Sequence, residues 1–143
     1  MRFLITAARN PDAPASERAV DDETFAAYMR FNEEMHQAGV LVASEGLNPA
    51  GKGARVVVSK GKRVVTDGPF TESKELVGGF YLIDVASLDE AVRWALRCPV
   101  GLDTADALTI HPMTEPSDIP PKYLELIRKA APRWSEAFRG KGA

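Results

Sequence analysis

The 143-residue chain has few of the features that mark a secreted, membrane-spanning or nucleic-acid-binding protein. Its single cysteine, Cys98, excludes an internal disulfide bond. No apolar run approaches the ~20 residues of a membrane-spanning helix, and the short run at the start is interrupted by Arg9. The 18 basic and 20 acidic residues give a net charge of −2, which excludes nucleic-acid binding through bulk positive charge. We therefore expect a soluble, cytoplasmic protein with no membrane partner and no direct nucleic-acid partner.

Motifs for metal, phosphate or nucleophile chemistry are also missing. The two histidines, His36 and His111, are too far apart in sequence for their spacing to indicate a metal site. No phosphate-binding glycine loop and no nucleophile elbow appears. Cys98 has only Arg97 as a basic neighbour, which is weak support for a reactive thiolate. The sequence accordingly predicts no metal and no cofactor.

The composition, 45% hydrophobic and 27% charged, is that of an ordinary globular domain, and short apolar or β-branched runs predict its strands. The clearest local structure is a hairpin whose strands are joined through Lys60 and Gly61, since glycine supplies the positive φ of a tight turn. The predicted strands cover residues 2–8, 40–44, 54–59, 62–66, 79–85 and 107–111.

Three helices are predicted from capping signals and 3-4 spacing. The carboxylates of residues 21–23 favour the start of a first helix that ends at Gly39. Ser87 and Glu90 form a capping box for a second helix that ends at residues 98–99. Asp118 is the expected cap of a C-terminal helix, with Pro120 and Pro121 in its first turn. The apolar face expected for the first helix comprises Phe25, Tyr28, Met29, Asn32, Met35 and His36.

This order of elements predicts an α+β protein with a ferredoxin-like protomer, an inserted hairpin and a C-terminal helix. Two βαβ halves give a mostly antiparallel sheet with helices on one face. The alternation of Phe80 and Leu82 with Tyr81 and Ile83 indicates burial on both faces of that sheet. Because the face without helices is apolar, we expect a two-fold homodimer that packs sheet to sheet. The expected division is an α+β domain over residues 1–115 and a helical extension over residues 116–143, packed on the domain or on the partner subunit.

Residues 65–80 read VTDGPFTESKELVGGF, and they resemble the YCII-related proteins, specifically the branch with an Asp-Gly-Pro-Phe signature. Further similar segments are residues 38–41, 45–47, 53–56 and 87–91, so the resemblance extends from about Phe3 to Pro112. The resemblance implies a dimeric α+β barrel. It also implies a pocket between sheet and helices that contains a His and Asp pair, in a group related to enzymes that rearrange or degrade small organic acids.

The resemblance assigns the Asp of that pair to Asp67, with the signature residues Gly68, Pro69 and Phe70 beside it. The place of the His on the first helix falls near Tyr28, where this chain departs from the family pattern. A second departure is Asn48, where relatives of the signature branch often have His. An amide does not shuttle protons near neutral pH.

Three residues are candidates for catalysis: Asp67, Glu45 and His111. Asp67 is either a general base in a partly buried pocket or an acceptor for backbone N–H groups of its turn. Glu45 either faces the same cleft, as the second carboxylate of an acid and base pair, or is a solvated loop residue or a partner of Arg55. His111 alternates with apolar neighbours on the last strand, so it is the imidazole that would work with Asp67 if its side of the sheet is the pocket. Tyr28 belongs to the core or directs its hydroxyl into the cavity.

Charge is distributed unevenly along the chain. From residue 120 onward, six basic residues outweigh two acidic ones by +4, and residues 1–119 carry −6. The basic extension either docks on an acidic partner or covers an edge of the domain. Two functions follow: a small-molecule pocket that binds or converts a polar organic metabolite, or a non-catalytic accessory role in an extracytoplasmic-function sigma-factor system. The second is implied by the gene neighbourhoods typical of the resembling branch.

Overall fold

The computed structural model describes residues 1–9, 21–47, 53–67, 76–99 and 107–138. Four antiparallel strands form the main sheet: β1 (Arg2–Arg9), β2 (Leu41–Gly46), β5 (Leu76–Asp84) and β6 (Ala107–Pro112). Their order across the sheet is β2-β5-β1-β6. Because the strands of the first βαβ half, β1 and β2, alternate in this order with those of the second half, the arrangement is the ferredoxin-like α+β fold that the sequence predicts.

The sheet has one face toward the helices. Directly paired residues of antiparallel strands lie on the same face, and Ile5 pairs with both Tyr81 and Ile110. Phe3 and Ile83 form the next such pair, and both are almost fully buried. Around them the core is completed by residues from the helices and their ends: Phe31, Met35, Val85, Ala91, Ala95 and Cys98.

The opposite face of the sheet, which we call the open face, is only half buried. It contains Leu4, paired with Leu82 and His111, and Phe80, paired with Glu45. Leu4, Leu82 and Phe80 are partly exposed, and Glu45 and His111 are exposed. The alternation along β5 that the sequence shows is therefore a real difference between a core face and a partly apolar open face.

Two helices cover the core face: α1 (Asp22–Gln37) and α2 (Leu88–Leu96). Asp21 caps α1 by accepting a hydrogen bond from the Thr24 backbone N–H at 2.7 Å. Ser87 caps α2 in the same way. The other half of its predicted capping box differs, because the Glu90 carboxylate accepts from the N–H of Ala86, one residue before Ser87.

The predicted apolar face of α1 needs correction. Phe25 and Met29 are exposed, whereas Phe31, absent from the predicted stripe, is buried together with Met35. The helix therefore packs through a neighbouring stripe with the same 3-4 spacing, formed by Tyr28, Phe31, Asn32 and Met35. An Arg97 and Glu34 ion pair connects α1 to the end of α2 on the surface.

The hairpin between β2 and β5 forms its own two-stranded sheet from β3 (Ala54–Ser59) and β4 (Lys62–Asp67). Its turn has positive φ at Lys60 (50°) and Gly61 (76°), as the two-residue connection requires. Six residue pairs continue without a shift in register, from Ser59 and Lys62 at the turn to Ala54 and Asp67 at the open end. The predicted hairpin is confirmed to within one residue.

After β6 the chain forms a short 3-10 turn (Pro116–Asp118) and two helices, α3 (Pro121–Ala130) and α4 (Pro132–Phe138). The prediction that Asp118 caps the C-terminal helix is wrong. Its carboxylate accepts from the Glu115 N–H at 2.8 Å and so closes the 3-10 turn, while α3 begins after Pro120 without a side-chain cap. Among the described helices, none combines the length and apolar character needed to cross a bilayer.

Candidate functional site

A polar contact lies at the edge of the core between α1 and the sheet. The hydroxyl of Tyr81, on the core face of β5, donates a 2.8 Å hydrogen bond to Oδ1 of Asn32 on α1. Tyr81 is only 4% exposed, whereas Asn32 is half-buried. This bond therefore joins a core side chain to one that reaches toward solvent.

Aromatic rings surround this contact. The rings of Tyr28 and Phe31 both lie 6.1 Å from that of Tyr81, and the Phe31 ring meets it edge-on. Trp94 of α2 stacks in turn at a tilt against Phe31, at 6.1 Å between centroids. We call Tyr28, Asn32 and Tyr81 the tyrosine cluster. Its polar groups are two hydroxyls and one amide, and the rings of Tyr28, Phe31 and Tyr81 adjoin one another there.

Burial raises the pKa of Tyr81 far above that of a free tyrosine, and the neighbouring hydroxyl of Tyr28 and thiol of Cys98 raise it further. The Tyr81 side chain is therefore a neutral phenol throughout the physiological range. A neutral phenol donates and accepts hydrogen bonds but does not abstract protons. The cluster can orient a polar ligand, and Tyr81 is unsuited to act as a general base.

The core face beside the cluster has small side chains. Ser44 pairs with Tyr81, and two residues further along the same face Gly46 pairs with Gly79. Gly46 is exposed, and a Cβ added there would meet no atom of the described residues within 4 Å, so these residues leave open space beside this strand end. At Gly79, in contrast, an added Cβ would lie 2.9 Å from the Glu45 carbonyl oxygen. Gly79 is thus required for the close approach of β2 and β5, and Gly46 leaves room next to the cluster.

Of the site residues predicted from the sequence that the structure describes, Tyr28 is the one that lies in this cluster. Glu45 and His111 project from the open face, on the other side of the sheet. They also lie on its two edge strands, three strand spacings or about 14 Å apart across the sheet, and they are offset along the strands because Thr109, two residues before His111, is the residue level with Glu45. Among the described residues, the sheet therefore separates Tyr28 from Glu45 and His111.

Asp67 is the last residue of β4, and its side chain is exposed. The partial burial that a general base would use is not present at Asp67 in the single chain. Its neighbours Gly68, Pro69 and Phe70, and also Asn48, lie outside the described residues. The expected acceptor role of Asp67 in its turn concerns the same undescribed segment.

Comparison with known proteins identifies the family. The sequence profile of the YCII-related domain matches residues 1–114. The chain belongs to the YCII-related family. A relative within the curated proteins is the uncharacterized protein R00369 of Rhizobium meliloti (strain 1021), 37% identical over 86 residues. The match covers 59% of this chain and 69% of that protein. The profile ends before α3 and α4, and the assignment to the Asp-Gly-Pro-Phe branch stays a prediction.

A solved structure similar to this YCII-related protein is 5-chloro-2-hydroxyhydroquinone dehydrochlorinase from Burkholderia phenoliruptrix AC1100, in complex with 2,5-dihydroxybenzoquinone. The superposition covers 84% of this chain and 100% of that chain, with a TM-score of 0.47 and 16% sequence identity. A likeness of this size carries no argument about what this chain binds or converts.

Sequence reasoning missed Asn32 and Tyr81 as site residues. Asn32 was placed on the apolar face of α1, where an amide is out of character, and that mismatch was the available signal. Tyr81 looked like one more apolar residue of a buried strand. Because the two residues are 49 positions apart, no local pattern connects them.

Proposed function

We propose that this YCII-related protein binds a small polar organic molecule beside the tyrosine cluster, between α1 and the β2 and β5 end of the sheet. The observation that carries the proposal is the buried Tyr81 hydroxyl bonded to a half-buried Asn32 amide. A polar pair of this kind at the edge of a core also stabilises a fold by itself. The open space at Gly46 favours a ligand. Gly46 lies on the core face two residues after Ser44, and Ser44 pairs with Tyr81.

The chemistry of the cluster defines the class of ligand. With its Oδ1 accepting from Tyr81, Asn32 has an amide nitrogen to donate, and the Tyr28 hydroxyl both donates and accepts. These groups suit a carbonyl, hydroxyl or carboxyl oxygen, while the aromatic rings suit the apolar part of the same molecule. A small hydroxylated or keto acid combines the two. The proposal is binding, because Glu45 and His111 lie on the opposite side of the sheet from the cluster.

A homodimer belongs to the same proposal. The open face carries Leu4, Phe80 and Leu82, which are partly exposed in one chain. A second copy packed on this face would remove them from water. The accessory role in a sigma-factor system stays a prediction from the sequence, which co-purification with the neighbouring sigma factor would test.

A thermal-shift screen with small hydroxy and keto acids tests the proposal. We expect at least one compound to raise the melting temperature of the wild type in a concentration-dependent way. Tyr28→Phe is expected to weaken that effect, and Tyr123→Phe, on the exposed side of α3, is the matched control that leaves it unchanged. Equal shifts for both variants would contradict binding at the cluster.

A second variant fills the open space beside the cluster and leaves the polar groups in place, and a control variant adds bulk on the other face of the sheet. Gly46→Val fills the open position beside the cluster, and Ala43→Val adds two methyl groups' worth of bulk on the open face of the same strand. We expect Gly46→Val to fold and to lose binding, and Ala43→Val to retain binding. Retention of full affinity in a folded Gly46→Val protein would place the ligand elsewhere.

A further inference from the structure

A β-bulge in β2 decides which residue of that strand faces Tyr81. The pairing of β2 with β5 shifts by one residue between Leu41 and Ala43. Without the shift, Ala43 would pair with Tyr81 and Ser44 would lie on the open face. With the shift, Ser44 is the partner of Tyr81 on the core face. Bulges re-aim side chains in this way and are frequent beside functional sites.

The residue that the bulge brings to the core face is polar. Ser44 is half-buried, and its hydroxyl makes no hydrogen bond to another of the described residues. The Cβ atoms of directly paired strand residues are about 4.5–5.5 Å apart, so Ser44 lies beside the base of the Tyr81 side chain. A serine hydroxyl both donates and accepts hydrogen bonds. The bulge therefore adds a polar group on the sheet side of the tyrosine cluster.

Ser44 and Asn32 lie at opposite ends of the Tyr81 side chain. Ser44 is level with the Cβ end on β5, and Oδ1 of Asn32 accepts from the hydroxyl at the other end at 2.8 Å. Tyr28 belongs to the same helix as Asn32, and its ring adjoins that of Tyr81. The length of one phenol group therefore separates the polar group of the strand from those of the helix. A molecule bound between α1 and β2 meets a polar group at each end.

We propose that Ser44 is a specificity-determining residue of the binding site, and that the site takes a short molecule with an oxygen atom at each end. One oxygen accepts from the Asn32 amide and the Tyr28 hydroxyl, and the other bonds to the Ser44 hydroxyl. The middle of the molecule lies beside the exposed Gly46. This inference rests on the proposed function. It narrows the ligand class to molecules whose oxygen atoms are about one phenol length apart.

Three rigid acids test the inference by isothermal titration calorimetry. The carboxylate and hydroxyl of 4-hydroxybenzoate lie at opposite ends of a ring, those of 2-hydroxybenzoate are adjacent, and benzoate has no hydroxyl. Ser44→Ala removes the hydroxyl on the core face of β2. Ser59→Ala is the matched control, because it removes an exposed serine hydroxyl from the hairpin. Circular dichroism verifies that each variant is folded.

For the wild type and Ser59→Ala, we expect 4-hydroxybenzoate to bind about 2- to 10-fold more tightly than benzoate, which is the gain from one added hydrogen bond. We expect no such gain for 2-hydroxybenzoate. In Ser44→Ala the advantage of 4-hydroxybenzoate over benzoate should disappear, because its hydroxyl loses the partner on β2. A purely structural role of Ser44 would instead weaken the binding of all three acids alike and leave this ratio unchanged.

Two outcomes would overturn the role of Ser44 and leave binding at the tyrosine cluster in place. One is a wild type that binds 4-hydroxybenzoate no more tightly than benzoate, and the other is an advantage of 4-hydroxybenzoate that survives in Ser44→Ala. A wild type that binds none of these acids and no compound of the thermal-shift screen would overturn the proposed function and this inference together.

Discussion

The hydrogen bond between Tyr81 and Asn32 should appear as a coupling between two mutations. Tyr81→Phe removes the donor, which costs about 1 kcal/mol for a typical bond. Asn32→Ala leaves the buried Tyr81 hydroxyl without this acceptor, which costs about 1–3 kcal/mol. In the double variant no hydroxyl is left unpaired, so the combined loss is smaller than the sum of the two. We expect a coupling free energy of about 1 kcal/mol.

The assay is urea unfolding of the four proteins, followed by circular dichroism and extrapolated linearly to water. A control cycle uses the 2.9 Å hydrogen bond from Gln37 to Glu33, which lies on the same helix but in solvent. Its expected coupling is about 0.2–0.5 kcal/mol, as for other exposed helical pairs. If the Tyr81 and Asn32 losses were additive within about 0.3 kcal/mol, the polar contact at the core edge would contribute nothing specific and our view of the cluster would be refuted.

Three further outcomes follow from the structure. Gly79→Ala should destabilise the fold by about 1–3 kcal/mol in urea unfolding, because the added Cβ meets the Glu45 carbonyl oxygen. Gly46→Ala should change the stability by less than about 0.5 kcal/mol. Similar losses of stability in the two variants would contradict the close approach of β2 and β5. Burial raises the pKa of Tyr81, so the stability that its neutral form contributes is present below about pH 10 and is lost as the pH rises further. The urea midpoints of wild type and Tyr81→Phe should therefore converge between about pH 9 and 11. Midpoints that stay the same distance apart over this range would refute the prediction. The hydrogen bond from the Thr24 N–H lowers the pKa of Asp21, so Asp21→Ala should lower the melting temperature at neutral pH. The difference in melting temperature from the wild type should vanish as the pH falls below about 4. An equal effect of Asp22→Ala would show that the cap is not specific.

Most of the fold follows from local signals in the sequence. The hairpin was predictable because Lys60 and Gly61 set its turn and valines set its strands. The carboxylates of residues 21–23 indicated the start of α1, and the capping residue Ser87 indicated the start of α2. The prediction for Asp118 was wrong because an Asp that precedes two prolines is compatible with both a helix cap and a 3-10 turn. Which of the two forms depends on the backbone N–H from which its carboxylate accepts a hydrogen bond.

The candidate site was much less predictable. Two stripes with 3-4 spacing run along α1, and which of them faces the sheet depends on packing, so Phe25 was expected inside and Phe31 was overlooked. The contact between Tyr81 and Asn32 joins residues distant in sequence, and no local pattern encodes it. Strand periodicity correctly separated the two faces of β5 but gave no indication that Glu45 and His111 lie on the face away from Tyr28.

The measurement that tests the central claim most directly is an NMR titration of the labelled protein with a compound from the thermal-shift screen. Binding beside the tyrosine cluster predicts saturable shifts of the Asn32 side-chain amide and of the backbone amides of Tyr28 and Tyr81. It also predicts that these shifts disappear in Gly46→Val. Saturable shifts confined to the open face, around Glu45 and His111, with an unperturbed Asn32 amide, would contradict it.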